Sequence, residues 1–200
     1  MATYNAIKYN VNYKGFAGAL VPLFSTSFTS ATGTVQITSG ITSAFDEYLF
    51  IFNDIRPATD NRGLTFRGST DGGSSYGIDT TTTVFRSAAS EGGGNGVFNY
   101  NTDQDAAQST GQIPLISEQA NDSDQALCGL LRLYNPASTT FVKHFLCTGS
   151  QTESGGAGDD ASVLKMVGGY INTTSAINAV KFEMSQGNME AGNIQMFGVN

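Results

Sequence analysis

Short runs of strand-forming residues, separated by turn residues, recur from about residue 20 to the end of the chain. No stretch of adequate length has the 3.6-residue period of an amphipathic helix. The composition agrees, because 13 Phe and 8 Tyr stand beside only 10 Lys and Arg, and aromatic residues favour strands. We count about ten predicted strands, at 20–28, 33–38, 48–55, 64–67, 75–87, 113–117, 126–134, 140–148, 163–171, 177–184 and 194–199.

About ten antiparallel strands in 200 residues must close on themselves or fold into two layers. The fold class that follows is an all-β, antiparallel, jelly-roll-like β-sandwich. The sequence has neither a repeat of fixed length nor an interdomain linker, so we expect a single β-sandwich domain over residues 19–200. Residues 1–18 show little apolar periodicity and are predicted to form an N-terminal arm, which lies over a neighbour or along the domain's own surface.

Three local predictions concern how strands pair. The segment 48–55 is apolar on both faces, which is typical of a central strand. Asp71 and Gly72 suit a tight hairpin turn, so 75–87 is expected to return antiparallel to 64–67. In the third pairing, the connection 135–139 joins two adjacent antiparallel strands. We predict that the numbers of each pair of facing residues sum to 275. That register sets Leu133 against Val142, Leu131 against His144 and Cys128 against Cys147, with Leu127, Leu131, Leu133, Val142 and Leu146 on one apolar face.

Cys128 and Cys147 are the two cysteines of the chain. The proposed register brings them within bridging distance, but disulfides are rare in proteins assembled in a reducing cytoplasm. We therefore predict two buried thiols, with a bridge as the alternative. His144 is the single histidine, and its place in mid-strand favours a packed or interfacial role over a Cys–His catalytic pair. Two cysteines and one histidine do not make a structural zinc site.

The carboxylates fall into two groups in polar segments. A pair of acids could hydrolyse a glycosidic bond, but nothing in the sequence fixes two of them at the required separation. The segment 121–124 resembles part of a calcium loop, without its glycine and its final glutamate. Gly92–Gly94 precedes no helix and no Lys-Ser/Thr, so it is not a phosphate cradle. We therefore predict no catalytic, cofactor-binding or metal site, and solvated roles for Asp103, Asp105, Glu118, Asp122, Asp124, Glu153, Asp159 and Asp160.

The formal net charge of −7 and the pI near 4.5 bear on the partners. Nucleic acids and anionic membrane surfaces are bound mainly through Lys and Arg, so neither is expected. The first residues lack a signal peptide's basic and apolar regions, and no apolar run approaches the roughly 20 residues of a membrane span. We expect a protein made and kept in a cytoplasm unless it leaves as part of something larger. The low charge density favours either a surface covered by neighbouring subunits or a solvated Ser/Thr/Asn surface.

Two Gly-rich segments, 88–112 and 149–161, are predicted to be loops. The first contains an aromatic island at 97–100. Long loops inside compact domains are functional or mobile.

Three stretches carry a resemblance to a known family. The segment 45–61 (FDEYLFIFNDIRPATDN) leads into 64–73 (LTFRGSTDGG), and the chain continues with 169–178 (GYINTTSAIN) and 192–199 (GNIQMFGV). Together they resemble a β-sandwich module of tailed-bacteriophage structural proteins, which occurs as a small virion protein or as a piece of a tail or head fibre. The resemblance covers about residues 20–200 and implies no catalytic residues. It implies a homo-oligomer, with a trimer favoured, in contact with the major capsid protein or tail components.

The leading hypothesis is accordingly a non-enzymatic structural protein of a phage virion, assembled in the host cytoplasm. Within that class we expect an outer capsid decoration, cement or head-fibre protein. The alternative is a tail-fibre or spike protein that binds a glycan of the host surface through 88–112 and 149–161, since loops on a rigid scaffold are common binding sites. A polysaccharide hydrolase and a non-viral carbohydrate-binding sandwich are the remaining hypotheses.

Overall fold

The computed structural model describes residues 20–93, 96–153 and 160–199. The predicted arm, 1–18, lies outside the described residues. All secondary structure in the described part is β-strand, so the all-β prediction is confirmed, although there are 13 strands rather than about ten. The strands are β1 (Leu20–Phe28), β2 (Thr34–Ile37), β3 (Glu47–Pro57), β4 (Arg62–Ser69), β5 (Thr80–Ser90), β6 (Val97–Tyr100), β7 (Ala106–Ser109), β8 (Ile113–Gln119), β9 (Leu127–Tyr134), β10 (Lys143–Glu153), β11 (Ala161–Ile171), β12 (Ala179–Met184) and β13 (Met189–Val199).

All 13 strands belong to one antiparallel sheet with two parts. The larger part has the order β1-β13-β3-β9-β10-β11-β5, and both β6 and β7 pair with the far edge of β5. The smaller part has the order β8-β4-β12-β2. The two parts are joined by a single residue pair, Glu153 of β10 with Gln119 of β8. This junction, which we call the seam, is where the sheet turns from one part into the other.

The hydrophobic core lies between the two parts. Phe50 and Phe52 of β3 approach Phe182 of β12, with ring centroids 5.4 and 5.2 Å apart. Phe66 of β4 lies 5.4 Å from Phe145 of β10. None of these strand pairs is hydrogen-bonded, so the rings meet across the space between the two parts. Burial of such aromatic side chains supplies much of the stability of a sheet that no helix covers within residues 20–93, 96–153 and 160–199.

The predicted central strand is confirmed. β3 is hydrogen-bonded on one side to β13 and on the other to β9. Tyr48, Phe50 and Phe52 are fully buried, and Leu49 between them is 7% exposed. A strand in the middle of a sheet that is covered on both faces needs this nearly continuous apolar run.

The predicted hairpin between β4 and β5 is wrong. β4 pairs with β8 and β12, whereas β5 pairs with β11, β6 and β7. The turn itself forms, because Gly72 and Gly73 adopt positive φ angles of 74° and 91°. Asp71 accepts hydrogen bonds from Ser69 and Ser75 and tightens the loop. The chain then passes through 76–79, without strand structure, to the larger part of the sheet, so this turn connects the two parts instead of closing a hairpin.

The predicted register between β9 and β10 is also wrong, by three residues. Leu133 faces Phe145 instead of Val142, and Leu131 faces Cys147 instead of His144. The physical reason is that β10 begins at Lys143 rather than residue 140. An odd shift exchanges the two faces of a strand. As a result Leu146, which we assigned to the inner apolar face, points outward and is 52% exposed.

The two segments predicted as loops both contain strand residues. Residues 88–112 contain the end of β5 and all of β6 and β7, and the aromatic island 97–100 is β6. In 149–161, β10 extends to Glu153 and β11 begins at Ala161, while residues 154–159 lie outside the described residues. Within the described ranges, no helix has the length and apolar character that a membrane span requires.

Candidate interaction surface

Five neighbouring strands, β9, β10, β11, β5 and β6, present one broad face to solvent. Alternate residues of each strand point away from the core, as the alternating burial of β10 and β11 illustrates. We call this surface the outer face. Its members are Cys128, Leu130, Arg132 and Tyr134 of β9; His144, Leu146, Thr148, Ser150 and Thr152 of β10; Ser162, Leu164, Met166, Gly168 and Tyr170 of β11; Thr81, Thr83, Phe85, Ser87 and Ala89 of β5; and Phe98 and Tyr100 of β6.

The strand register aligns the apolar members of the outer face in rows. One row runs across all five strands through Leu130, Thr148, Met166, Phe85 and Tyr100. In adjoining rows Leu146 is 52% exposed, Leu164 41% and Phe98 66%. Single exposed apolar residues are ordinary on a protein surface, but a contiguous patch of them marks a site of interaction.

Three aromatic rings form the end of the outer face at β5 and β6. The Phe85 and Phe98 rings stack in parallel, 5.9 Å apart with an interplanar angle of 7°. Tyr100 meets Phe85 edge-on at 5.5 Å. The Tyr100 hydroxyl donates a 2.6 Å hydrogen bond to Asp105, which raises the pKa of Tyr100 and fixes its ring. Beside this cluster a shallow hollow of about 340 Å³ lies among Phe85, Leu146, Met166 and their neighbours.

The outer face carries almost no charge. It contains no Lys, Asp or Glu, and its one arginine, Arg132, forms an ion pair with Glu47 on the adjacent β3. His144 lies beside Tyr170, with ring centroids 5.9 Å apart. Because few charges must be desolvated, this face can be covered by an apolar partner at low cost.

A second arrangement, a buried polar cluster, lies at the seam on the inner side. Lys165 of β11 is 1% exposed, and its ammonium donates to the Ser117 hydroxyl and to Glu118, the latter at 3.0 Å. Burial lowers the pKa of Lys165, while the Glu118 carboxylate opposes this shift. Gln151 of β10 donates to the backbone carbonyl of Ser117. These contacts tie β11 and β10 to β8, which has little backbone hydrogen bonding to the larger part of the sheet.

The local shape of β8 makes this cluster possible. Glu118 has a positive φ of 68°, and the pairing of β8 with β4 shifts register between Arg62 and Leu64. Such a bulge turns consecutive side chains toward the same region. A cleft of about 260 Å³ adjoins Ser117 and Glu118 and is lined by polar residues including Asn61, Thr65, Gln104 and Ser185. The cluster connects the two parts of the sheet at the seam, and the charges of Lys165 and Glu118 neutralise each other.

The carboxylates considered in the sequence are dispersed. Glu118 and Glu153 are brought to the same cluster, where Glu153 forms a bidentate pair with Arg86 at 2.7 Å, and both lie on strands rather than in the loops we predicted. The others are placed separately. Asp105 accepts from Tyr100, Asp160 accepts from Gln125, Asp103 lies between β6 and β7, Asp122 and Asp124 lie between β8 and β9, and Asp159 is outside the described residues. No group of three or more potential metal ligands occurs within the described ranges.

The thiols and the histidine are kept apart. Cys147 is buried, as predicted, and burial raises its pKa to about 12. Cys128 is exposed, contrary to the prediction, and lies opposite Ser150 on the other face of the sheet. Both cysteines are free. His144 points outward and Cys147 inward from the same strand, so they do not form a catalytic pair.

Sequence reasoning missed Lys165, Ser117 and the outer face. A lysine in mid-strand between Val163 and Val167, both buried, was the available signal for the polar cluster, since an inward lysine in an apolar strand needs partners. The outer face gave a weaker signal, because both faces of β10 and β11 contain apolar residues. Only the long-range register shows which of them meet.

No family model matches the chain, and no curated protein matches it. Among solved structures, the chain shows a weak likeness to a chain in the structure of infectious bursal disease virus Gx strain, with 14% identity and a TM-score of 0.16. The alignment covers 91% of this chain and 39% of that chain, so this chain spans less than half of that one's length. At this TM-score the likeness carries no argument about fold or function.

Proposed function

We propose that the chain is a non-enzymatic structural component of a tailed-phage virion, and specifically an outer capsid decoration, cement or head-fibre protein. The observation that carries the proposal is the outer face, a broad surface with a single charged residue, Arg132, on an acidic protein. A protein that is assembled into a particle needs a surface of this kind to contact its neighbours, whereas a freely diffusing enzyme does not. The resemblance of residues 45–73 and 168–199 to phage virion modules supplies the viral setting.

The proposal includes a jelly-roll-like sandwich as the finer description of the fold. The two parts of the sheet would be its two layers, and the ring contacts of Phe182 with Phe50 and Phe52 across the core support this. Packed sheets lie about 10 Å apart, which suits one layer of interdigitated aromatic side chains. A density map of the particle tests this description, because two separate layers would be resolved.

The engaged state of the carboxylates supports the non-enzymatic part of the proposal. Glu118 contacts Lys165 and Glu153 contacts Arg86, so both carboxylates take part in contacts between strands. The test is turnover on capsular or cell-wall polysaccharide. Hydrolysis that disappears in Glu118→Gln would contradict the proposal.

Counting copies of the chain per purified particle tests the location. A decoration protein is expected in hundreds of copies, and mild surface proteolysis should release it while the shell stays closed. Quantitative mass spectrometry against the major capsid protein gives the ratio. A dozen copies or fewer would eliminate the decoration hypothesis and leave a tail location.

A tail-fibre or spike protein that binds a host-surface glycan is the second candidate function. It is favoured by the aromatic cluster, because Phe98 is 66% exposed and stacked on Phe85, and flat rings can stack against the apolar face of a sugar. Asp105, held by Tyr100, is placed to accept hydrogen bonds from sugar hydroxyls. Binding of the isolated protein to host cells, lost in Phe98→Ala and retained in Phe141→Ala, is the expected result, and equal binding by both variants would exclude this site.

A further inference from the structure

We propose that the outer face is the surface on which a second copy of this chain docks. The proposal deepens the proposed function, on which its place in a virion rests, by naming the partner and the residues that meet it. The face is defined by strands of the larger part of the sheet only. It therefore leaves the seam, the core and the smaller part untouched by the contact.

Charge selects a second copy as the partner. The chain has a formal net charge of −7, so two copies repel each other wherever carboxylates would meet. None of the outer-face residues is a carboxylate, and the charge of Arg132 is already matched by Glu47. The carboxylates of Asp105 and Asp54 lie at the two margins of the face, next to Tyr100 and Cys128. A nearly uncharged face is a place at which two copies of an acidic protein can approach with little like-charge repulsion. A strongly basic partner would gain little here, because the carboxylates at the margin of the face, Glu47 and Asp105, already contact Arg132 and Tyr100.

The dimensions of the outer face also suit a stable contact between copies. Five strands spaced by about 4.8 Å, each contributing about eight residues at roughly 3.3 Å, span on the order of 600 Å². Two such faces together bury about 1,200 Å², which is the lower end of the range for specific interfaces. Aromatic and methionine side chains, which are enriched at the centre of interfaces, occupy the central row through Met166 and Phe85.

The outer face has a projecting side chain, Phe98, which we call the knob, and a hollow of a size that can receive it. The Phe98 ring projects at the β6 edge, where it is 66% exposed. The hollow of about 340 Å³ begins at Phe85 on the neighbouring strand β5 and extends across β11 to Leu146 of β10. Phe98 of one copy can enter the hollow of the next, either reciprocally around a two-fold axis or in sequence around a closed ring. Both arrangements bury Leu146 at the contact.

Leu146→Lys is the variant that tests the proposal, and Phe141→Lys is its matched control. Both positions are exposed, at 52% and 68%, and both changes introduce the same charge, but Phe141 lies in the connection between β9 and β10, outside the strands that form the outer face. Light scattering after size exclusion and sedimentation velocity measure the mass, and circular dichroism verifies that each variant is folded. Phe98→Ala is a second variant that removes the knob without adding charge.

We expect the unmodified chain to have a mass that is a small multiple of 21.0 kDa. Leu146→Lys should raise the dissociation constant at least about tenfold, because the new ammonium would be buried without a partner, and Phe98→Ala should raise it less. Phe141→Lys should leave it unchanged. A self-association of the same strength in all variants would overturn the proposal.

A monomeric wild type would also overturn it. If Leu146→Lys then lost binding to phage shells, the outer face would belong to the capsid protein, and if it lost binding to host glycans, to a sugar. The proposed function fails separately, through the copy number per particle. A low copy number together with self-association broken by Leu146→Lys would reject the capsid location and keep the present inference.

Discussion

The exposure of the two cysteines shows which residues of β9 and β10 point outward and which point into the core. Cys147 is buried with a pKa raised to about 12, and Cys128 is exposed on the outer face. Only a thiolate reacts readily with a disulfide reagent or an alkylating agent. The environment of each thiol therefore decides its reactivity in the folded protein.

We expect one thiol to be modified in the native protein, at a concentration low enough for the proposed contact between copies to be open, and two after unfolding. Absorbance with an aromatic disulfide reagent measures both. Cys128→Ser should abolish the native reaction, and Cys147→Ser should leave it intact. Modification of both thiols in the native state would contradict the register of β9 with β10, and so would an oxidised protein with no reactive thiol after unfolding.

Lys165 is the residue whose protonation bears most on stability. Burial lowers its pKa in the folded protein below the unfolded value of about 10.5. The unfolded chain then binds more protons between the two pKa values, so the contribution of Lys165 to stability increases as the pH rises through that interval toward 10.5. Below the folded-state pKa, Lys165 is charged in both the folded and the unfolded protein, and the free-energy cost of burying its ammonium is present in full.

In Lys165→Met we expect a loss of about 1–2 kcal/mol near neutral pH, because the charged hydrogen bonds to Ser117 and Glu118 disappear while Glu118 remains partly solvated. The difference in unfolding free energy between wild type and variant should increase in favour of wild type as the pH approaches 10.5. Urea unfolding at several pH values measures this difference. A difference that shrinks with rising pH would show that Lys165 is not desolvated as described.

At the scale of the element, two glycines set how closely β8 approaches the sheet. Gly149 of β10 pairs with Gly129 of β9, and both point inward. A Cβ at Gly149 would lie 2.0 Å from the Cδ1 atom of Ile116 on β8, and one at Gly129 would lie 3.2 Å from the same atom. The Ile116 side chain therefore fills the space that these two glycines leave.

Gly149→Ala should destabilise the protein by about 1–3 kcal/mol through overpacking. Ile116→Val removes Cδ1, the nearer of two clashing atoms, and leaves Cγ1 at 2.8 Å. It costs about 1 kcal/mol alone, but the double variant should be more stable than the sum of the two changes predicts. Gly168→Ala is the control, because its Cβ would meet Leu146 at 3.4 Å on the outer face. Strictly additive losses in a urea-unfolding cycle would contradict this packing.

The strands themselves were largely predictable from local pattern, and their partners were not. The first strand was predicted with the bounds it has, 20–28, because turn residues limit it on its C-terminal side. The strand after the Asp71–Gly72 turn was assigned to the wrong neighbour, since its partner β11 is about 80 residues away in the sequence and no local signal encodes that distance. β6 and β7 were taken for loop because Gly and Asn surround them and each has only four residues.

The same distance explains why the candidate surface escaped prediction. Leu130, Met166 and Phe85 become neighbours only when three strands from distant parts of the chain pair in one register. A shift of one residue in any of them would bury its outward row and expose its inward one. Inward lysines such as Lys165 are visible in the sequence, but their partners are not.

At the scale of the whole molecule, the last strand completes the sheet. β13 pairs on one side with β1 and on the other with β3, from Leu20↔Val199 to Met189↔Pro57. It also contributes the fully buried Ile194 and Met196 to the core. Without it, β3 would become an exposed apolar edge and β1 would have no partner among the described strands.

Deletion of residues 189–200 should therefore abolish folding, with insoluble expression and no cooperative unfolding transition. Deletion of residues 1–19 is the matched truncation, because the pairing of β1 begins at Leu20. We expect that variant to keep a cooperative transition within about 3 °C of the full chain's Tm. Scanning calorimetry compares the two, and an unfolded Δ1–19 variant would show that the predicted arm is part of the fold.

The pairing of Leu20 with Val199 has a mechanical consequence. Tension applied to these two residues in opposite directions acts on one end of the β1–β13 ladder, and it breaks the hydrogen bonds there one after another, as in opening a zipper. Tension applied between Leu20 and Pro57, at the opposite end of the ladder of β13 with β3, instead loads many hydrogen bonds in parallel, as in shear, and needs a larger force. The direction from which neighbours pull on the molecule would therefore determine how much force it withstands.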